Sequence, residues 1–364
     1  MKTIYKILTA FVVGTIPLTA FPQFNQSREI TKRYRILPDT RVEITNKYGN
    51  ILINNWDKDS VVFNIKINVE EKKSSKLEKT MDGIDFDFTN SPHFLVARTI
   101  VNKTSSALGK ELLKFKESLL QDEGNVEIDY TVWLPESCGL SLEDKFGNIF
   151  INSISGNCDI TLSNGNLKAY EFRGKTTLNL NFADAVITKM DTGNLNISYS
   201  DLDIKSANKL VIDSKQSNYD LAEATELHIQ SRGDKFRIRN ADLVDAQGSF
   251  TNFRISALTD RINLRCDYGD LDINSINPEF SQVFVESKST DINLYFKRES
   301  NFNFDITKTK TNTDFCKEAV VRETKVLDEK TQKTRLTGEF GKKHADADKL
   351  FINATSGSIN IFAN

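Results

Sequence analysis

The sequence predicts an all-β protein: a parallel β-solenoid (β-helix) with about 17–18 residues per coil, plus a small α+β insertion capping its N-terminal end. Three observations predict it. The stretches "NKYGNILINNW" at 46–56, "DKFGNIFINSI" at 144–154 and "CDYGDLDINSI" at 266–276 are nearly one string, with no catalytic residue type among the shared positions. An apolar anchor stands seven residues before the apolar residue that follows each turn. The anchors are Ile44, Leu142, Ile160, Leu178, Leu195, Ile212, Ile229, Ala246, Leu264, Val285 and Ile352, and from Leu142 to Leu264 they step by 17 or 18 residues. Within each copy apolar and polar residues alternate with period two, the pattern of strands with one buried face. A unit of this size cannot bury its own apolar stripe, but copies stacked in register form one continuous core.

The elements follow in chain order. Residues 1–20, "MKTIYKILTAFVVGTIPLTA", place Lys2 and Lys6 before an apolar run that is too short to span a bilayer, and close on small residues. This is the layout of a cleaved signal peptide, so the rest is expected to be exported with no membrane insertion after cleavage. Residues 21–56 hold the first strands and first coil. Residues 57–135 read as an inserted α+β cap, with strands at "VVFNIKINVE", "GIDFDF" and "HFLVARTIV" and a helix whose face is Leu108, Leu112, Phe115 and Leu119. Contiguous coils fill 136–295, a polar insertion expected as a long hairpin or loop fills 296–349, and a final coil closes at 350–364. At each turn Gly or another small residue precedes Asn or Asp, as in Gly49-Asn50 and Gly147-Asn148, and these pairs are expected to supply the positive φ of the corner.

Composition and motifs narrow the function. The net charge of −2 offers no basic footprint for nucleic acid. Four cysteines in an exported chain could form bridges, but Cys158 and Cys266 fall on inward positions, which favours buried free thiols. His93, His228 and His344 are scattered, His228 as a solvated strand residue, and no metal or cofactor pattern is present. The Asn and Asp ladder lacks the glycine-rich nonapeptide of calcium-binding β-rolls and is read as turn chemistry. No compact acid pair of the kind used by glycosidases stands out. The outward face of the second strand carries Arg237, Arg239 and Arg254, which could converge on an acidic glycan or a carboxylate-bearing partner, or else pair with acids on neighbouring strands.

The leader, the interrupted first coil and the strings "GNIFI", "GNLNI", "GDLDI" and "GSINI" together resemble the bacterial putative-adhesin family of secreted β-strand-repeat proteins, over about residues 40–364. The resemblance implies an adhesin-like head domain and carries no residue roles. The expectation is therefore a monomeric, non-enzymatic module of the cell envelope without a cofactor. It would contact a cell-surface protein or polysaccharide from the periplasm, the outer-membrane surface or the medium. Two alternatives stay open: a polysaccharide-active β-helix enzyme, and a periplasmic component of envelope homeostasis with a protein partner.

Overall fold

The computed structural model describes residues 24–37, 39–91, 93–101, 125–342 and 348–364. The signal peptide and the 108–119 helix expected from the sequence lie outside these residues, as does His344. Within them the protein is all-β, with twenty strands in one open, mostly parallel sheet and a single helix. That helix is too short to cross a membrane.

The middle of the chain sets the pattern. Strands β8 (Gly139–Lys145) and β9 (Asn148–Ile154) both pair in parallel with β10 (Cys158–Ser198). Parallel pairing continues through β11 (Asp201–Lys215), β12 (Asn218–Arg232), β13 (Lys235–Ser249), β14 (Asn252–Ile276) and β15 (Gln282–Phe296). Leu195, Ile212, Ile229, Ala246, Leu264 and Val285 lie side by side in consecutive registers. Ala185, Leu202, Tyr219, Phe236 and Phe253 form a second buried row, in which the last three rings stack at 4.4 and 5.2 Å. A buried ring of this kind contributes roughly 1.5–3 kcal/mol. Where the sequence step lengthens from 17 to 18, β14 takes up the extra residue in a bulge between Leu258 and Arg261, opposite Ala241 and Leu243. The longer step before Val285 is taken up in the loop at 277–281, whose Phe280 is fully buried against Phe296 and Phe302.

The bends between the two rows correct the expected turn chemistry. Positive φ falls on the residue before the Gly or small residue: Tyr48, Phe146, Asn164, Phe182, Tyr199, Gln216, Gly233, Phe250, Tyr268 and Ser289. Of the glycines that follow these bend residues only Gly357 shares it, behind Ser356. Gly147 and Gly165 serve close approach instead, since a Cβ on either would overlap the carbonyl oxygen of the preceding bend, Gly49 and Gly147 respectively. Elsewhere a side chain bridges the wider gap: Ser200 Oγ accepts from Ala183 N–H at 3.0 Å, and Asp234 Oδ1 accepts from Ser217 N–H at 2.7 Å. Gly165→Ala is accordingly expected to cost about 2–3 kcal/mol, an overpacking penalty against backbone that has nowhere to move. A urea midpoint equal to wild type would refute that reading.

Both ends depart from sequence order. At the first end, β2 (Arg41–Thr45) lies between β8 and β6 (Phe94–Val101), and β3 (Ile51–Asn55) lies between β9 and β7 (Asn125–Leu134), all parallel. Antiparallel strands then cover this outer pair. Strand β5 (Ile84–Asn90) covers β6, β4 (Ser60–Glu71) covers β7, and β1 (Phe24–Arg35) covers β4. Helix α1 (Ser74–Asp82) closes the end by burying Leu77 and Met81.

At the other end β20 (Asp348–Ala363) pairs in parallel with β15 on one side. On its other side it pairs with β16 (Phe302–Thr309) and β17 (Asn312–Phe315). The last strand of the chain is thus an interior strand. Strands β19 (Lys333–Phe340) and β18 (Ala319–Asp328) form an antiparallel hairpin against β16. The polar insertion therefore holds both a further parallel layer and a hairpin.

Candidate functional site

The bends line rings up along one edge. Successive bends are tied by backbone hydrogen bonds, such as Phe146 N–H to Ser163 O at 3.0 Å and Phe250 N–H to Asp267 O at 2.8 Å, so their side chains project at neighbouring positions. Tyr48 and Phe146 stack at 5.8 Å, Phe182 and Tyr199 at 4.8 Å, and Phe250 and Tyr268 at 5.1 Å, with planes within 10° of parallel. Lysines lean over four of these rings: Lys47 over Tyr48, Lys145 over Phe146, Lys215 over Tyr199 and Lys288 over Tyr268.

The rings are not what the bend requires. A bulky residue at positive φ is strained by roughly 1–3 kcal/mol. Asn164 and Gly233 show that the same bend forms with residues suited to it. Yet the rings stay in water: Phe182 is 56% and Phe250 60% exposed. Strained, repeated and solvent-facing apolar groups mark a contact surface. The sequence carries the signal as an aromatic residue directly before six of the turns (Tyr-Gly-Asn, Phe-Gly-Asn, Phe-Ala-Asp, Tyr-Ser-Asp, Phe-Thr-Asn, Tyr-Gly-Asp), where the Gly or small residue is the more conspicuous letter.

Beside this edge runs a groove of ≈ 800 Å³ lined by Gln230, Gln247, Arg265, Glu286, Lys288 and Asn353 among others. These residues come from five strands, β12, β13, β14, β15 and β20, so the groove crosses the strands instead of following one. Arg265 Nε lies 3.3 Å from Glu286 Oε2 within it. Lys288 belongs to both features, since it lines the groove and covers Tyr268. Among the described residues no group of three His, Cys, Asp or Glu side chains is arranged to hold a metal ion.

The arginines singled out from the sequence are partly brought together. Arg237 and Arg254 are register partners on β13 and β14, and both are exposed. Each also has an acid beside it: Asp220 Oδ2, on β12, lies 3.6 Å from Arg237, and Asp272 Oδ2, further along β14 itself, lies 3.5 Å from Arg254. Arg239 stands two residues along β13 with no ion-pair partner among the described residues. The face is therefore a charge-paired sheet surface, and its exposed ion pairs are worth little individually.

His228 is not simply solvated. Its Nε2 lies 2.6 Å from Glu226 Oε1, which also accepts from Lys209 at 2.8 Å, and these contacts, Lys209 first, hold the Glu226 carboxyl below its ordinary range. Cys138, Cys158 and Cys266 are buried free thiols, with burial pushing Cys138 and Cys266 up to about 11, while Cys316 is a half-buried free thiol. Such thiols are poor nucleophiles.

No family model and no curated protein matches the sequence. Two solved structures are similar at 11% identity. One is a putative cell adhesion protein from Clostridium sporogenes, with 93% of this chain and 100% of that one covered at a TM-score of 0.20. The other is a putative adhesin from Bacteroides fragilis, with 93% and 97% covered at a TM-score of 0.25. Scores of that size transfer neither fold nor activity.

Proposed function

We propose that the chain is an exported parallel β-solenoid of the bacterial cell envelope that works as a non-enzymatic, adhesin-like binding module for a cell-surface protein or polysaccharide. The solenoid reading is supported by the residue-for-residue parallel registers and by the bends that separate the two buried rows. The observation that carries the binding reading is the exposed row of strained rings, a surface maintained against its own backbone cost. It replaces the arginine face as the place to look, because Arg237 and Arg254 already have acids opposite them.

The test is co-sedimentation of the purified protein with the envelope fraction of bacterial cells. The binding reading expects saturable retention that is lost when Phe182 and Phe250 are both replaced by Asn, while Arg237→Ala with Arg254→Ala leaves it within about twofold of wild type, as expected for exposed pairs. Absence of saturable retention by the wild-type protein would remove the reading.

A further inference from the structure

The row of rings is interrupted at two places, and these gaps have dimensions of their own. Along the edge the bend residues run Phe146, Asn164, Phe182, Tyr199, Gln216, Gly233, Phe250. Phe146 and Phe182 therefore face each other across the single bend of Asn164. Tyr199 and Phe250 face each other across the two bends of Gln216 and Gly233. With neighbouring strands about 4.8 Å apart, the first pair of ring planes is separated by about 10 Å and the second by about 14 Å. A flat saturated ring held between two aromatic faces needs roughly 3.5–4 Å on each side. One such ring fits the first gap, and two, or one with water, fit the second.

The chemistry at the gaps selects among flat ligands. The ring faces offer apolar contact, and Asn164 and Gln216 offer both donor and acceptor beside them. A sugar ring presents the matching pair, an apolar C–H face and a rim of hydroxyls. Charge decides the polymer. The strand entering the bends carries Lys145, Lys215 and Arg232, and the strand leaving them carries Asp184, Asp201 and Lys235. A polyanion would meet the aspartates and a polycation the basic residues, so the mixed flanks favour a neutral chain. Lys215 covers Tyr199 from the gap side, and its flexible ammonium can swing away to donate to a hydroxyl.

We propose that these two gaps bind a neutral polysaccharide laid along the row of bends, with Phe146 and Phe182 clasping one sugar and Tyr199 and Phe250 flanking a wider subsite. This rests on the binding-module reading and names its ligand class. Polymer direction follows from the geometry, because the gaps repeat along the edge and no single pocket collects them.

The experiment is affinity electrophoresis of the full chain in gels containing a neutral β-glucan, a neutral mannan or dextran, with polygalacturonate as the anionic counterpart. Phe182→Asn and Phe250→Asn are suited to it, because Asn accepts positive φ and both side chains are exposed. Circular dichroism and urea midpoints verify that each variant folds. At least one neutral polymer is expected to retard the wild-type protein, and each variant to weaken that affinity about tenfold, the loss of one stacking face. Retardation unchanged in both variants would overturn the proposal. So would retardation by polygalacturonate alone, abolished by salt, or self-association of the wild type that the variants abolish, which would assign the rings to a second copy of this chain. If no polymer retards the protein while envelope co-sedimentation still depends on Phe182 and Phe250, the glycan proposal falls and the binding module stands.

Discussion

A chain ending at residue 347 is expected not to fold. Strand β20 is the last piece of the sequence but an interior piece of the sheet, bonded to β15 on one side and to β16 and β17 on the other. Its removal takes Leu350, Ile352, Ile359 and Ile361 out of the core, four side chains buried to 3% exposure or less. At roughly 1.5–3 kcal/mol each, their sum alone is comparable to the whole stability of an ordinary domain, about 5–15 kcal/mol. The loss is larger than the sum, because β15 becomes an unpaired parallel edge and β16 with its hairpin no longer has a neighbour on that side. The truncated protein should appear in the insoluble fraction, and refolded material should show no cooperative urea transition. A soluble truncation with the wild-type midpoint would show that β20 is an accessory layer. Restoration of a cooperative transition by the 348–363 peptide added in trans would support the interior role directly. The same topology implies slow folding, since the pairing of β20 with β15 closes a long loop only after the intervening strands exist.

Much of this architecture is written in the chain because a period of two and an offset of seven are local, and burial acts on them directly. Leu195, Ile212 and Ile229 were recognisable as equivalent from spacing, and they are register partners. What the spacing did not reveal was order in space. Nothing local distinguishes a copy stacked beside its sequence neighbour from one stacked beside a strand of an insertion, so the placement of β2 between β6 and β8, or of β20 between β15 and β16, had no periodic signature. Helix α1 escaped for a different reason. Its nine residues carry only Leu77 and Met81 as buried anchors and no side-chain cap, so tertiary contact with β4 and β1 supports it more than propensity does. The site was half legible. Arg237, Arg239 and Arg254 were visible as charge, but only the structure shows Asp220 and Asp272 opposite two of them. The rings were visible as letters, but their positive φ and exposure go with a small residue, Gly, Ala, Ser or Thr, at the next position, where the chain meets the neighbouring bend.

Asp144→Asn is expected to stabilise the protein at pH 8 and to remove much of its pH dependence in the mildly acidic range. Asp144 is 2% exposed, and neither carboxylate oxygen has a hydrogen-bond partner. Burial, opposed by the adjacent Lys145 N–H and reinforced by the charge of Asp129, pushes its carboxyl up from 3.8 to about 7. The folded state then holds a proton that the unfolded state has released between about pH 4 and pH 7. Stability therefore falls as pH rises through that window and levels off above it, by an amount on the order of 4 kcal/mol. Other buried acids, Asp234 among them, are shifted in the same direction, so the informative quantity is the difference between variant and wild type. The neighbouring strand shows why Asn suits the position. Asn46 occupies the place beside Asp144, and its amide donates to Ile128 O at 2.9 Å. A side chain on Gly147 would overlap both Gly49 O and Asp144 Oδ2, which places a backbone acceptor close to the carboxyl. An amide donates to such an acceptor, whereas a carboxylate is repelled by it. Urea unfolding from pH 4 to pH 8 should therefore show the two proteins converging at the acid end, where Asp144 carries its proton, and the variant ahead by about 2–4 kcal/mol at the basic end. Parallel curves across the range would mean that Asp144 does not titrate in the folded state, and that its charge has a partner in solution.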